Sequence, residues 1–431
     1  MLARSLTSRD AALPAESLKA LDWLNFFLAA FLMGFGPFVA VHLTENGWAP
    51  ASIGAVLTIS GLAGLTTQVP AGELIDRIAP KRALVGVAVT AAALALTIFG
   101  LRSDFPSVAG AAIIQGAAGS VFGPSIAAIS LGLVGHDALA ERLGRNQRFA
   151  SIGGLSAAAI MGAIGYLLST QDIFLVAAAL AIPLLWALLR IHGADIHFGR
   201  SCGAPDHHET KPNRVSRQSL FKDVRFLAFV TCLFLFQLAN ASILPQVSEP
   251  LAHSEGHWSS LTVSALIVVP QIVVALLAPW AGRTAATLGR RPLLLLGLAA
   301  VPIRSGLFAL TTDPTWLVII QTLDGFSGAT LGVLTALIVA DLTDRTGRFN
   351  LAQGVVGTFS GIGASLSALI TGGITQHFGY SAGLLSVTVV GLMAVVAAWK
   401  FMPETKPPAL SGPPGIPASD QKQLQSGQFG H

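Results

Sequence analysis

Two ionisable side chains stand where their surroundings leave them little water. Asp324 interrupts the apolar stretch 314–340, and Arg304 interrupts the stretch 292–310. A charge at membrane depth costs from about 3 kcal/mol upward, so each of these needs a partner or a task. The two stretches are adjacent in sequence and the two charges lie at comparable depth, which predicts an Arg304–Asp324 ion pair. That pair can serve packing alone. Alternatively, Asp324 can take up and release a proton, or Arg304 can anchor an anionic substrate. Five amides accompany them in other apolar stretches: Gln115, Gln237, Asn240, Gln271 and Gln321. An amide both donates and accepts. These groups can therefore bind a polar solute, or they can join helices to one another. Gln237 and Asn240 are three residues apart and share one helical face. His42 and Glu45 lie near one end of the first apolar stretch, and Asp22 and Asn25 lie at the other.

The elements that must carry these groups follow from composition. Of 431 residues, 52% are hydrophobic and 11% charged, against about 25% charged in an ordinary soluble domain. A soluble chain of this length could not cover its surface with so few charges. Twelve stretches are long and apolar enough to span a bilayer, each needing about 20 residues. They run over 23–43, 52–71, 83–101, 105–134, 149–170, 173–189, 226–247, 261–281, 292–310, 314–340, 351–375 and 380–399. Their apolar runs are continuous, which fits helices and not a barrel. The first run follows a lead containing Asp10, Glu16 and Asp22, so it is expected to be a retained helix. The expected class is an all-α membrane protein of twelve transmembrane helices. Cys202 and Cys232 make no disulfide framework, and with His192, His197, His207 and His208 they fit no zinc spacing. No phosphate-binding loop Gly-x-x-x-x-Gly-Lys-Ser/Thr is present, nor a Ser/His/Asp set at membrane depth. An enzyme is not expected, and neither is a metal or cofactor.

Basic residues sort by side. With the N-terminus cytoplasmic, all but Arg102 and Arg304 of the 26 Lys and Arg fall on the inner face. This positive-inside bias places both termini in the cytoplasm, in a membrane of the bacterial inner type. It also accounts for the net charge of +4 without nucleic acid. The expected divisions are a cytoplasmic segment 1–22, a six-helix bundle 23–191, a cytoplasmic linker 192–225, a second six-helix bundle 226–402 and a disordered tail 403–431. Internal echoes suggest a duplication. Ile113-Ile114-Gln115 matches Ile319-Ile320-Gln321 at an offset of 206, Gly72 matches Gly282 at 210, and Gly144-Arg145 matches Gly347-Arg348 at 203.

The loop after the second span contains Gly72, Leu74, Asp76, Arg77, Lys81 and Arg82, with Ala79 between them. Here the chain resembles the major facilitator superfamily, whose pattern is Gly, then Asp-Arg four residues on, then Gly and a basic pair. Ala79 stands at the second Gly. After the eighth span Gly282, Gly289, Arg290 and Arg291 match, and Ala286 stands at the Asp position. Span four carries Gln115 and Gly116 of the family's Arg-x-x-Gln-Gly, with Ala112 at the Arg position. The drug–proton antiporters' Gly-Pro pair is absent from span five, and the sugar transporters' Pro-Glu-Ser is absent after span six. The resemblance implies two pseudo-symmetric six-helix bundles with spans one, four, seven and ten lining a central cavity. It implies a secondary transporter that moves a small organic solute by alternating access, with a proton or another ion as coupling partner. Asp76 at a helix end can accept from an opposing helix N-terminus or pair with a basic residue, latching the halves in one state. An apolar cavity slightly favours efflux. The rival reading is a non-transporting membrane receptor or assembly partner on the same scaffold. Neither reading requires an oligomer.

Overall fold

The computed structural model describes residues 14–35, 38–204, 216–252 and 257–406. Gly36, Pro37, His207, His208 and the tail from 407 lie outside the described residues. Hydrocarbon offers backbone groups no partner, so each apolar stretch must satisfy its own amides as helix. Twelve spans result: Ala15–Glu45, Pro50–Arg77, Lys81–Leu101, Phe105–Val134, Leu139–Leu167, Thr170–Arg190, Val224–Ser248, Thr262–Leu288, Arg290–Phe308, Pro314–Leu342, Phe349–Phe378 and Tyr380–Phe401. Span one is broken by a 3-10 turn at Met33–Phe35. Side-chain caps start several helices. Asp104 accepts from Ser107 N at 3.1 Å, Ser169 from Asp172 N at 3.2 Å, and Asp313 from Thr315 N at 2.8 Å.

Two expectations need correction. Span five begins at Leu139, not at 149, so Gly144 and Arg145 lie inside the helix. Gly347, with φ +65, lies instead in the turn before span eleven, so it is not the counterpart of Gly144. Basic residues extend span five because Arg142 and Arg145 both bind the carboxylate of Asp22 in span one. Span one likewise starts at Ala15, and Asp22 is buried in its second turn.

Spans four and ten are the innermost, with 67% and 61% of their most apolar windows buried, against 11% for span two. The first core joins spans one, three, four and six. The second half packs around spans seven to twelve. The halves meet along two seams. In one, Gly72 of span two lies against the backbone of Asn350 and Leu351, and Gly354 of span eleven against Gln68 and Val69. In the other, Gly282 of span eight lies against Ala140 and Glu141, and Gly144 of span five against Ala278 and Pro279. Every one of these positions maps onto its counterpart by 210 residues: 72 to 282, 140 to 350, 144 to 354 and 68 to 278. A side chain at any of the four glycines would collide with backbone, so glycine sets the approach. All four lie toward the end at which span one starts and span twelve finishes. In the opposite halves of the same spans, Gly54, Gly61, Gly154, Gly162, Gly372 and Gly373 have no neighbour within 4 Å of a notional Cβ. The space between the halves is closed by backbone contact at the end where span one starts, and the glycines toward the other end meet no such neighbour.

Candidate functional site

The closed end leaves two connected lobes between the halves. One, of about 350 Å³, is lined by Gln237, Asn240, Gln271 and Asp324, with Ser327, Leu233 and Phe236. The other, of about 460 Å³, is mainly apolar, with Leu28, Leu32, Phe122, Ile126 and Val356 beside Asn25, Asn146 and Gln353. Gln147, Gly332, Thr335 and Ser360 line both. Among the described residues, Asp324 is the one ionisable residue on either wall.

Asp324 lies in span ten with its side chain 30% exposed, and it pairs with Arg304 of span nine, which is 2% exposed. A second guanidinium nitrogen of Arg304 donates to Asn240 Oδ1 of span seven at 2.6 Å. Gln321, one helical turn before Asp324, donates weakly to its carboxylate at 3.5 Å and is itself buried. Arg304 Nε and Gln321 Oε1 are buried without a hydrogen-bond partner. The sequence-derived set thus divides. Asp324, Asn240, Gln237 and Gln271 face the cavity, whereas Arg304 and Gln321 stand behind them. Gln115 lines neither lobe; it accepts from Ser60 of span two at 2.5 Å and joins helices within the first half.

The expected equivalence of Gln115 and Gln321 is also corrected. Gly116 packs on Ser60 O of span two, and Gly325 packs on Pro270 O of span eight. The two halves therefore register at an offset of 209, which sets Gln115 opposite Asp324 and Ala112 opposite Gln321. The Ile-Ile-Gln identity was three residues out of register. Sequence reasoning also missed Gln147. With span five started at 149, this residue fell outside the membrane, although it is three residues beyond the seam glycine Gly144.

At the closed end, Asp76 is fully buried. Its carboxylate accepts from Asn350 N at 3.1 Å, Asn350 Nδ2 at 2.8 Å and Leu351 N at 2.9 Å, capping span eleven from across the seam. Span eleven has no side-chain cap of its own at Arg348. Four orphan N–H groups and the helix dipole make such an end a favourable place for a carboxylate. Glu73 pairs with Arg77 at 2.5 Å and approaches Arg348 at 4.0 Å. Lys81, Arg82, Arg290 and Arg291 each cap a helix within their own half. Lys81 donates to Ile75 O at the end of span two, and Arg290 donates to Ala285 O at the end of span eight. Arg82 donates to Leu188 O and Leu189 O at the end of span six, and Arg291 to Trp399 O at the end of span twelve. Gly289 has φ +105, a left-handed turn in which a side chain would meet Glu404. Ala286, the counterpart of Asp76, leaves the N-terminus of span five without a side-chain cap.

Comparison with known proteins agrees with this architecture. The model of the Major Facilitator Superfamily matches residues 22–247 and 229–425. An uncharacterized MFS-type transporter of Mycobacterium tuberculosis is 37% identical over 401 residues, covering 91% of this chain and 95% of the relative. A multidrug efflux pump of Mycolicibacterium smegmatis is 29% identical over 160 residues, 37% of this chain and 32% of the pump. Among solved structures, the Escherichia coli fucose:proton symporter aligns with a TM-score of 0.70 at 12% identity, covering 89% of this chain and 97% of that one. The human organic anion transporter MFSD10 aligns at 0.68 and 13% identity, covering 89% and 99%. Twelve apolar helices in two like halves, glycine seams closing one end and a family match along nearly the whole chain make this integral membrane protein a transporter, not an enzyme, and a member of the major facilitator superfamily.

Proposed function

We propose that the protein exports a small amphipathic organic solute by proton-coupled alternating access, in a bacterial inner membrane with both termini cytoplasmic. The observation that carries this reading is Asp324, an acid at membrane depth on the cavity wall whose charge is answered by one buried guanidinium. The sorting of basic loops supports the orientation, and on it the cavity opens outward. A proton arriving from outside neutralises Asp324. Arg304 then keeps Asn240 Oδ1 as an acceptor, which offsets part of the cost of losing its counter-charge. Release of the proton restores the pair.

The cavity's chemistry indicates the solute. Amides at Gln237, Asn240, Gln271 and Gln147 suit a polar end, and the lobe of Leu28, Leu32, Phe122 and Ile126 suits an apolar body. Among the described residues Asp324 is the one ionisable group on the walls, and it faces the cavity ahead of Arg304, so a neutral or singly cationic solute fits. Proton and solute compete for the same lobe, which couples their movements. Relatives described as efflux pumps support the export direction. Proteoliposomes carrying an imposed pH gradient test the reading with rhodamine 6G as an amphipathic monocation. Wild type is expected to accumulate the dye. Asp324→Asn is expected to insert normally and lose gradient-driven accumulation, and unchanged accumulation in that variant removes Asp324 from the mechanism.

A further inference from the structure

The connection between spans six and seven enters the closed seam. Phe198–Ser201 forms a short helical turn, and Ser201 and Cys202 are 0% exposed. On the side of the first half, His197 N donates to Gly132 O of span four at 3.2 Å. Cys202 Sγ donates to Asp76 O of span two at 3.3 Å. Lys81 Nζ donates to Cys202 Sγ at 3.4 Å and lies 4.9 Å above the Phe198 ring. On the side of the second half, Phe349 N donates to Cys202 O at 3.2 Å and Gly347 N to Gly203 O at 3.3 Å. Asn350 Nδ2 donates to Ser201 O at 3.0 Å with the same amide that binds Asp76. Gly203 has φ +73, and a Cβ there would approach Thr343 O to 3.1 Å.

The other half shows what this segment replaces. Asp341, near the end of span ten, pairs with Arg290 at 2.9 Å. The register of 209 sets Gly132 opposite Asp341 and Lys81 opposite Arg290. Where the second half has an acid, the first has no side chain, and residues 196–202 fill the space. A Cβ on Gly132 would come within 2.8 Å of Ile196 and 3.2 Å of Ser201. The segment that follows span twelve stays within its own half: Glu404 accepts from Arg290 N and Arg291 N, and Lys406 donates to Thr287 O.

We propose that residues 196–203 are a wedge belonging to the gate, positioning residues that hold the terminus-bearing end closed by bonding to both halves at the Asp76 seam. The inference rests on alternating access. When that end opens, the bonds from Gly347, Phe349 and Asn350 break, the segment stays with Gly132 and Lys81 on the first half, and Cys202 meets solvent. Burial pushes the Cys202 thiol up, opposed by Lys81, so labelling in the closed state starts from a low background.

The test uses Gly132→Val, which displaces the wedge while leaving Asp76 and the seam glycines intact. Two full-length proteins in proteoliposomes report on it. In one, Cys232→Ala leaves Cys202 as the single thiol for N-ethylmaleimide. In the other, Cys202→Ala and Cys232→Ala carry spin labels at Arg77→Cys and Arg345→Cys, across the seam. Gly132→Val is expected to speed Cys202 labelling at least tenfold and to move the label distance toward a longer, open population. Faster labelling with an unchanged distance overturns the wedge as part of the gate. Asp76→Asn serves as the second variant. A longer distance with Cys202 still protected overturns the wedge and leaves alternating access standing. A distance fixed in every variant overturns both.

Discussion

The two halves share one scaffold at an offset of 209 to 210 residues, yet they place their acids at opposite depths. The first half has Asp76 at the seam and a neutral amide, Gln115, at cavity depth. The second half has Ala286 at the seam and Asp324 at cavity depth. Each position occurs twice in the chain, and an acid stands at one copy of each. A physical reason is available for the seam. Each charge-assisted hydrogen bond of Asp76 is worth about 1.5–3 kcal/mol. Two such latches would bias the closed end so far that reaching the other state would require several kcal/mol more from ligand or proton. On the proposed alternating access, one such latch would hold the end closed and leave it releasable. At the second seam the nearest ionic contact is Arg283–Glu141 at 3.7 Å, with both side chains largely exposed, and such pairs contribute about 0–1 kcal/mol.

The largest expected effect lies at cavity depth. Asp324→Asn leaves Arg304 buried with Asn240 as its remaining acceptor and is expected to destabilise by about 3 kcal/mol, the lower range for breaking a buried pair. Adding Arg304→Gln is expected to recover most of that loss, because the buried charge goes with its partner. The counterpart change, Gln115→Ala, removes one neutral hydrogen bond to Ser60 and is expected to cost about 1 kcal/mol. Thermal unfolding in detergent measures all four proteins. A double variant no more stable than Asp324→Asn would mean that the pair does not set the difference between the halves.

A smaller effect is expected at the seams. Asp76→Asn keeps one acceptor oxygen but loses the charge facing the N-terminus of span eleven. A loss of about 2 kcal/mol lowers the ratio of closed to open roughly 30-fold. Ala286→Asp places a carboxylate opposite the uncapped N-terminus of span five, where Glu141 already stands. The like charge limits the gain to about 1 kcal/mol. In the Asp76→Asn background it should therefore return part of the closed population. Spin-label distances across each seam report both changes, and equal responses of wild type and Asp76→Asn to Ala286→Asp would argue that the seams act independently.

Much of this architecture was legible in the residues. An acid and a base in adjacent apolar stretches at like depth had to meet, and Arg304 and Asp324 do. A helix-end Asp beside a seam glycine had to find donors, and Asp76 finds the start of span eleven. The register between halves was not legible from Ile-Ile-Gln, because apolar triplets recur freely in membrane helices. The seam glycines fix it, and their role depends on what lies across from them. Gln147 was hidden by the charges around it: Arg142, Arg145 and Arg148 read as the end of a span, whereas Asp22 draws two of them into the helix bundle. The buried segment 196–203 carries no apolar period. Its burial comes from backbone bonds to Gly132, Gly347 and Phe349, and a loop's composition does not encode those.

The smallest test compares the segments that follow spans six and twelve. Glu404 is the second half's anchor. Its carboxylate accepts from Arg290 N at 2.8 Å, Arg291 N at 3.1 Å and Lys406 N at 2.9 Å. Partial burial pushes its pKa up, but these three backbone donors outweigh burial and hold it below the usual carboxylate range. A carboxyl depressed in the folded state contributes stability that is present in full above its unfolded value, about 4.3, and is lost as pH falls through the lower folded value. Wild type should therefore lose that increment below about pH 5, whereas Glu404→Gln should lack it at neutral pH and show a flatter acid limb. Because the group is largely exposed, the difference should stay under about 1 kcal/mol. The corresponding first-half acid, Asp195, accepts from Ser17 Oγ at 2.6 Å and holds no helix start, so Asp195→Asn should lower stability at pH 7 less than Glu404→Gln does. Thermal unfolding at pH 7 compares the two variants, and a series from pH 7 to pH 3 follows the acid limb of wild type and Glu404→Gln. An equal loss at pH 7 in both variants would show that the segment after span twelve is fixed no more firmly by its acid than the segment after span six.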